Sequence, residues 1–147
     1  MMRLTRAGEY AIRCMIYLTH KGRRVQVSKQ EIAERTDIPP HFLAKIVQDL
    51  ARAGLIEIKQ GSKGGYRLLK NPEQISLLEV VEVMIGKISL NDCVGKPTTC
   101  TINKCCAVRK VWEDAGNQLR ETLAKVNLAQ LAEKESCIPI FPMHIKK

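Results

Sequence analysis

Residues 38–55 decide the fold of this 147-residue chain: Ile-Pro-Pro-His-Phe-Leu-Ala-Lys-Ile-Val-Gln-Asp-Leu-Ala-Arg-Ala-Gly-Leu. Proline suits the first turn of a helix. A glycine just after the last apolar position suits the left-handed backbone conformation that often ends a helix. The spacing predicts a helix from Pro40 to about Ala53, ended by Gly54. Its predicted core stripe comprises Phe42, Leu43, Ile46, Val47 and Leu50. Its other face carries His41, Ala44, Lys45, Gln48, Asp49 and Arg52.

The segments on either side of this helix predict a winged helix-turn-helix. A first helix is expected over residues 4–20, a brief extended segment over 25–27, and a second helix from 28 to 36 that begins with a Ser28–Glu31 capping box. Strands over 55–59 and 66–69 flank a glycine-rich turn. The predicted fold is therefore mainly α with a small β-hairpin wing. In such a fold the helix at 40–53 enters a major groove, and Lys63 at the wing tip approaches phosphates or a minor groove.

The charge distribution favours a nucleic-acid partner. The chain carries 24 Lys+Arg and 15 Asp+Glu, a net charge of +9. Residues 1–75 hold 14 of these cations and 7 of the anions, so most of the excess lies beside the predicted helix-turn-helix. Clustered positive charge is typical of DNA-binding surfaces. The sequence has no apolar run long enough to span a membrane and no signal peptide, so we expect a cytoplasmic protein with no membrane partner.

The second half of the chain predicts a long helix outside the DNA-binding unit. We expect a helix over 76–85, an irregular loop over 87–105, a helix from about 107 to 126, and a short helix from Asn127 to about Glu135. The long helix serves dimerisation or packs on its own domain. The predicted domains are residues 1–71, which bind DNA, and 72–147, which hold the linker helix, the loop, the dimerisation helix and an irregular tail. Near-heptad spacing marks the apolar stripe of the long helix: Val108, Val111, Trp112, Ala115, Leu119, Thr122, Leu123 and Val126.

Six cysteines include a cluster in that loop. Cys14 lies on the apolar stripe of the first helix and is predicted to be a core residue. Cys137 is isolated, and we assign it no role. The others suit a metal or an iron–sulfur cluster, or they are free or redox-active thiols. Their spacing lacks the Cys-x2-Cys pattern of most structural zinc sites. These loop cysteines are Cys93, Cys100, Cys105 and Cys106.

The chain resembles the IscR/NsrR (Rrf-type) family of winged-helix transcriptional regulators over nearly its whole length. The matching residues are Met2-Arg3-Leu4-Thr5, Glu9-Tyr10-Ala11, Ile32-Ala33, Ile38-Pro39-Pro40-His41-Phe42-Leu43, Leu50-Ala51-Arg52-Ala53-Gly54-Leu55, Gly61-Ser62-Lys63-Gly64-Gly65-Tyr66, Ile75-Ser76-Leu77-Leu78-Glu79-Val80, and three spaced cysteines followed by Trp112.

The resemblance implies a homodimer, crossed at the long helix, that binds double-stranded operator DNA. It also implies that Cys93, Cys100 and Cys106 hold an iron–sulfur cluster, either [2Fe–2S] or [4Fe–4S]. IscR-like members have a histidine three residues after the third cysteine, whereas this chain has Arg109. NsrR-like members use an acidic residue from the other subunit, and the matching position is Glu9. Glu9 is therefore the favoured fourth ligand, and Cys105 is the alternative.

The resemblance also implies DNA contacts along the helix-turn-helix and the wing. Where IscR has a base-discriminating glutamate, this chain has Ala44, and where IscR has a wing arginine it has Gln60. We therefore expect a different operator sequence, with Lys63 supplying the charge of the wing. The predicted DNA-binding residues are Ser28, Lys29, His41, Ala44, Lys45, Gln48, Gln60, Ser62, Lys63 and Gly64.

Three functions are compatible with the sequence. The first is a regulator that senses iron, oxygen, redox state or nitric oxide through a cluster. The second is a cluster-free repressor controlled by a thiol switch or a small molecule. The third, an enzyme with a cysteine nucleophile, needs a nearby base, yet the three histidines at positions 20, 41 and 144 lie far along the chain from the loop.

Overall fold

The computed structural model describes residues 4–134, and it has the predicted architecture: a mainly helical chain with a two-stranded antiparallel wing. Cys137 and the predicted irregular tail lie outside the described residues. No helix within 4–134 is both long enough and apolar enough to cross a membrane. The elements are α1 (Arg6–Lys21), α2 (Lys29–Thr36), α3 (Pro40–Arg52), β1 (Ile56–Lys59), β2 (Gly65–Leu68), α4 (Leu77–Ile85), α5 (Asp92–Gly95), α6 (Ala107–Ala124) and α7 (Leu128–Lys134).

The start of α2 is capped as predicted, but only in one direction. The Ser28 Oγ accepts a hydrogen bond from the Glu31 amide at 3.1 Å. The Glu31 carboxylate, which a full capping box would direct to the Ser28 amide, instead accepts from Lys21 Nζ at 3.4 Å. It also accepts from the Tyr17 hydroxyl, whose pKa is raised first by burial and then by the charge of Glu31. Glu31 thus ties α2 to α1.

Short-range geometry sets both ends of α3. Asp37 ends α2 with φ of 54°, a left-handed conformation that Asp adopts more easily than most residues and that turns the chain sharply. Pro40 then begins α3. At the other end Gly54 has φ of 79°, and the Leu55 amide donates to the Leu50 carbonyl at 3.0 Å. The predicted glycine stop is confirmed, and it directs the chain straight into the wing.

An isolated β-bridge between Val27 and Tyr66 joins the wing to the rest of the fold. In the hairpin Ile56 pairs with Leu68 and Ile58 pairs with Tyr66. Val27 pairs with the far side of Tyr66 through two backbone hydrogen bonds of 2.9 and 2.8 Å, which confirms the predicted extended segment. A Cβ at Gly65 would lie 2.5 Å from the Val27 carbonyl oxygen, so only glycine permits this approach.

The hydrophobic core is centred on α1. It joins that helix to α3, to α4 and, through Leu128, to α7, which packs back against α1. Cys14 is fully buried, which raises the pKa of its thiol to about 12, and the predicted core role is confirmed. Because the core also draws on residues beyond 71, the proposed division of the chain there stays a prediction. The largest fully buried side chains include Met15, Leu18, Ile32, Ile38, Leu43, Ile46, Leu50, Leu55, Ile75 and Leu128.

One predicted core residue, Phe42, is in fact 39 % exposed. It lies in the first turn of α3 and is only partly covered by the neighbouring rings of Tyr10 and His41. Tyr10 meets it edge-on at 5.8 Å between ring centroids, and the His41 ring lies at 4.6 Å. The prediction that Phe42 belongs to the core was therefore wrong.

The segment between α4 and α6 is more ordered than predicted. Residues 87–105 contain the short helix α5 and two single 3-10 turns, Pro97–Thr99 and Asn103–Cys105. The Asn91 side chain accepts a hydrogen bond from the Asp92 amide at 2.9 Å and so begins α5. These turns are too short to show a hydrophobic period, so the sequence pattern predicted only an irregular loop.

Two anchors fix the position of α6. Near its end Arg120 donates to both carboxylate oxygens of Glu82 on α4, at 2.6 and 3.3 Å. The same carboxylate accepts from the Ile88 amide at 3.2 Å. Beyond the helix the Leu77 amide donates to Val126 at 2.8 Å. The helix ends at Ala124 rather than at 126, and the Asn127 side chain caps α7 by accepting from the Gln130 amide at 2.8 Å.

Candidate DNA-binding surface and cysteine loop

The outward face of α3 carries the side chains predicted to contact DNA. His41, Lys45 and Gln48 are exposed, and Ala44 is half-buried beside the core stripe. At the start of α2 Ser28 and Lys29 are also exposed. Since the Ser28 Oγ already accepts from the Glu31 amide, its hydroxyl hydrogen remains to be donated to a phosphate.

The tip of the wing has little side-chain bulk. Gln60, Ser62 and Lys63 are exposed. Gly64 donates its amide to the Gly61 carbonyl at 2.9 Å, and a Cβ there would collide with the backbone of Lys59. The structure therefore gives Gly64 a role in the turn itself, while its predicted contact with DNA stays a prediction.

Charge on this surface is divided between paired and unpaired cations. Lys21, Arg52 and Arg67 form ion pairs with Glu31, Asp49 and Glu57. Among the ion pairs formed within residues 4–134, none involves Lys29, Lys45 or Lys63, which lie on α2, on α3 and at the wing tip. These three lysines can therefore neutralise phosphates without first breaking an ion pair.

An aromatic group that the sequence pattern did not reveal links α1 to the start of α3. Arg13 lies over the Tyr10 ring, 5.3 Å from its centroid, and Tyr10 contacts Phe42, which in turn contacts His41. Arg13 also donates to the Thr36 carbonyl at 3.3 Å, at the end of α2. The predicted base-reading end of α3 is thus supported by side chains of α1.

The loop cysteines are partly accessible thiols. Cys93, Cys100 and Cys106 are half-buried, Cys105 is exposed, and each is a free thiol. Arg109, which stands where IscR-like members have a histidine, donates from Nε to the Cys93 carbonyl at 3.3 Å. It holds the first turn of α6 to the backbone at the first cysteine. Within the described part of this single chain, no three His, Cys, Asp or Glu side chains gather closely enough to hold a metal ion.

Glu9, the predicted fourth ligand, lies apart on the first turn of α1. It is exposed and borders a shallow cleft with Leu4, Thr5 and Arg6. A carboxylate in this position is accessible to another molecule. The ligand set Cys93, Cys100, Cys106 and Glu9 therefore stays a prediction.

Comparison with known proteins places the chain among transcriptional regulators. The Rrf2 family model, described as iron-dependent transcriptional regulator, matches residues 4–134. The regulator NsrR of Shouchella clausii is 30% identical over 135 residues, which cover 91% of each chain. NsrR of Geobacillus kaustophilus is 30% identical over 138 residues, covering 93% of this chain and 94% of its own.

Solved structures agree with this assignment. CymR, the global cysteine regulator of B. subtilis, superposes with a TM-score of 0.74 at 26% identity and covers 92% of this chain and all of its own. IscR of T. potens shares the fold, with a TM-score of 0.71 at 23% identity over 90% of this chain and 87% of its own. These relatives regulate transcription and are not enzymes, so the hypothesis of a cysteine nucleophile is excluded. The chain belongs to the Rrf2 family of DNA-binding transcriptional regulators.

Proposed function

We propose that the protein is a homodimer that binds operator DNA through α2, α3 and the wing, and that an iron–sulfur cluster in its cysteine loop controls this binding. The observation that carries the proposal is the pairing of two exposed features on one compact chain. One is the polar face of α3 with unpaired lysines on either side, and the other is a loop of free thiols packed against α6. A regulator of this kind works where the DNA is, so we expect it in the cytoplasm.

Binding to DNA is supported by the unpaired cations. Each lysine that neutralises a phosphate releases a counterion, so affinity should fall steeply with salt. Operators can be selected from genomic fragments with the purified protein and measured by fluorescence anisotropy. Lys45→Ala and Lys63→Ala should each weaken binding and lower the salt slope by about one. Lys125→Ala, on an exposed position at the end of α6, is the matched control. Equal salt slopes in the unaltered protein and in all three variants would contradict the assigned surface.

Dimerisation through α6 is supported by its uncovered apolar side chains. Val108 and Val111 are 52 % and 60 % exposed. They follow the spacing of a helix–helix seam, which makes a second copy of the same helix a suitable partner. Val111→Lys should produce monomers in analytical ultracentrifugation and weaken binding to DNA. Glu121→Gln makes the same change of one positive charge on another side of α6 and should leave the dimer intact.

The cluster is supported by the chemistry of its donors. Three accessible thiols within fourteen residues are ligands that iron–sulfur clusters require, and Glu9 of a second subunit could add a carboxylate. The donor set fits, but the loop must close before Cys93, Cys100 and Cys106 converge. A bound cluster would supply a centre that reacts with oxidants or nitric oxide and that is lost when iron is depleted. The residues of this chain supply the thiolates and, through Arg109, a tie between the loop and α6.

Iron and acid-labile sulfide should be measured on protein purified without oxygen, together with a visible absorption spectrum. Cys100→Ala should abolish the chromophore while the far-ultraviolet circular dichroism is unchanged. Cys105→Ala is the matched control and should retain the cluster, and Glu9→Ala tests the fourth ligand. If Cys100→Ala binds iron and sulfide normally, the ligand assignment is wrong.

A cluster-free thiol switch is the second candidate, and one observation favours it. Cys105 is exposed directly beside Cys106, and among residues 4–134 no three His, Cys, Asp or Glu side chains form a group that could hold a metal ion. Colourless, metal-free protein after attempted reconstitution, with a disulfide that forms in the loop under mild oxidation and changes affinity for DNA, would establish this alternative.

A further inference from the structure

A cleft lies between residues 87–96 and α6, separate from the DNA-binding surface. Its volume is about 340 Å3. The loop wall includes Lys87 and Ser89, and the helix wall includes Trp112, Glu113 and Asn117. Ile88 and Gly116, which are both buried, complete the lining.

The cleft carries charges of both signs: Lys87, Asp92 and Lys96 line the loop wall, and Glu113 lines the helix wall. Lys87 is exposed on the loop, and Glu113 is half-buried on the helix. Neither takes part in an ion pair within the described residues, whereas Asp92 and Lys96 already make interactions of their own. Ser89 and Asn117 add uncharged hydrogen-bonding groups, and the Trp112 ring adds an apolar face.

These features restrict the class of ligand. The volume lies at the lower end of ligand pockets, which span roughly 300–1,000 Å3, so the ligand is small. Carboxylates on the lining disfavour a phosphate-rich ligand, and the charged walls disfavour a purely apolar one. A molecule with an anionic and a cationic end, joined by a short carbon skeleton, would match both walls and the indole at once.

We infer that this cleft binds a small zwitterion of the amino-acid class. Its carboxylate pairs with Lys87, its ammonium group pairs with Glu113, and its carbon skeleton lies against Trp112. The loop wall also includes Val94 and Gly95, directly after Cys93, so a ligand in the cleft holds the cysteine loop against α6. Binding requires neither the cluster nor DNA, and the inference therefore goes beyond the proposed function.

The single tryptophan of the chain lines this cleft and makes the test direct. The full-length protein is titrated with each of the twenty standard amino acids while Trp112 fluorescence is recorded, and thermal shift is measured in parallel. Acetate and ethylamine are the probes that carry only one of the two charges. At least one amino acid should give a saturable response, and neither acetate nor ethylamine should reproduce it.

Lys87→Gln and Glu113→Gln should each weaken that binding by about tenfold or more, the loss expected for one charge-assisted hydrogen bond. Lys125→Gln and Glu121→Gln remove the same charges elsewhere and should bind as the unaltered protein does. The inference is overturned if no amino acid changes either fluorescence or melting temperature, if acetate alone gives the full response, or if the two cleft variants bind normally. Since no readout involves DNA or iron, failure here leaves the proposed function standing.

Discussion

Replacing Glu82 with glutamine should weaken the contact that holds α6 to α4. The Glu82 carboxylate accepts two hydrogen bonds from Arg120 and one from the Ile88 amide. Its side chain is 22% exposed and that of Arg120 is 29% exposed, so water screens the pair only in part. A charge-assisted hydrogen bond contributes about 1.5–3 kcal/mol when shielded, and an exposed pair contributes less than about 1 kcal/mol. Because glutamine keeps one acceptor oxygen, we expect Glu82→Gln to lower the free energy of unfolding by about 1–2 kcal/mol.

The pH dependence of this loss follows from the sign of the pKa shift. The hydrogen bond from Arg120 holds the pKa of Glu82 below its ordinary value in the folded protein. The group therefore stabilises the fold at pH values above its unfolded pKa, about 4.3, and that contribution disappears as the pH falls through the folded pKa. The difference between the unaltered protein and Glu82→Gln should be largest near pH 7 and shrink towards pH 3.

Urea unfolding followed by far-ultraviolet circular dichroism measures both effects. Protomer concentration must be equal in every sample, because dimerisation would contribute to the apparent stability. A double-mutant cycle with Arg120→Gln isolates the pair, with an expected coupling of about 1 kcal/mol. A coupling below about 0.3 kcal/mol, or a destabilisation that is the same at pH 3 as at pH 7, would refute this account of the anchor.

Further predictions concern the core, the wing and α6. Cys14 should resist a short pulse of iodoacetamide that modifies Cys105, as read by peptide mass spectrometry, because burial raises its pKa to about 12. The folded state also retains that proton above the ordinary pKa of 9.0, so stability should fall by about 1.4 kcal/mol per pH unit from there, and by less in Cys14→Ala. Gly65→Ala should cost about 2–3 kcal/mol by thermal unfolding, since its Cβ would lie 2.5 Å from the Val27 oxygen. Gly116→Ala should stabilise α6 by about 0.5–1 kcal/mol, because its Cβ would make only an ordinary contact, 3.8 Å from Leu90, in the same unfolding assay.

The sequence predicted those parts of the fold whose signals are local. Pro40 and Gly54 gave the bounds of α3 to within a residue, and the glycine-rich turn gave the wing, because each signal acts within a few residues. Helix periodicity does not predict the burial or partner of a side chain when these depend on another element of the fold. Phe42 has core spacing but is 39 % exposed, and the Glu31 carboxylate contacts Lys21 rather than the start of its own helix.

The candidate site divides in the same way. Exposure of Lys45 and Gln48 follows from the amphipathic pattern of one helix. The proposed convergence of Cys93, Cys100 and Cys106 depends instead on how the loop closes, which no local pattern encodes. The cleft beside Trp112 was likewise not predicted, since it arises from packing between residues 87–96 and α6.

The backbone hydrogen bonds that join Leu77 to Val126 and Leu128 to Ile75 have a consequence for how this architecture could diversify. They bring the start of α4 and the segment after α6 to one point, so residues 78–125 begin and end at the same place, while α4 itself packs into the core. Insertions with adjoining ends are the kind that proteins exchange most readily. One core could therefore accept different segments at this junction if the buried side chains of α4, such as Val80, are kept. Grafting residues 78–125 of relatives onto this chain with those side chains retained would exchange the cysteine loop and α6 while leaving α3 and the wing unaltered.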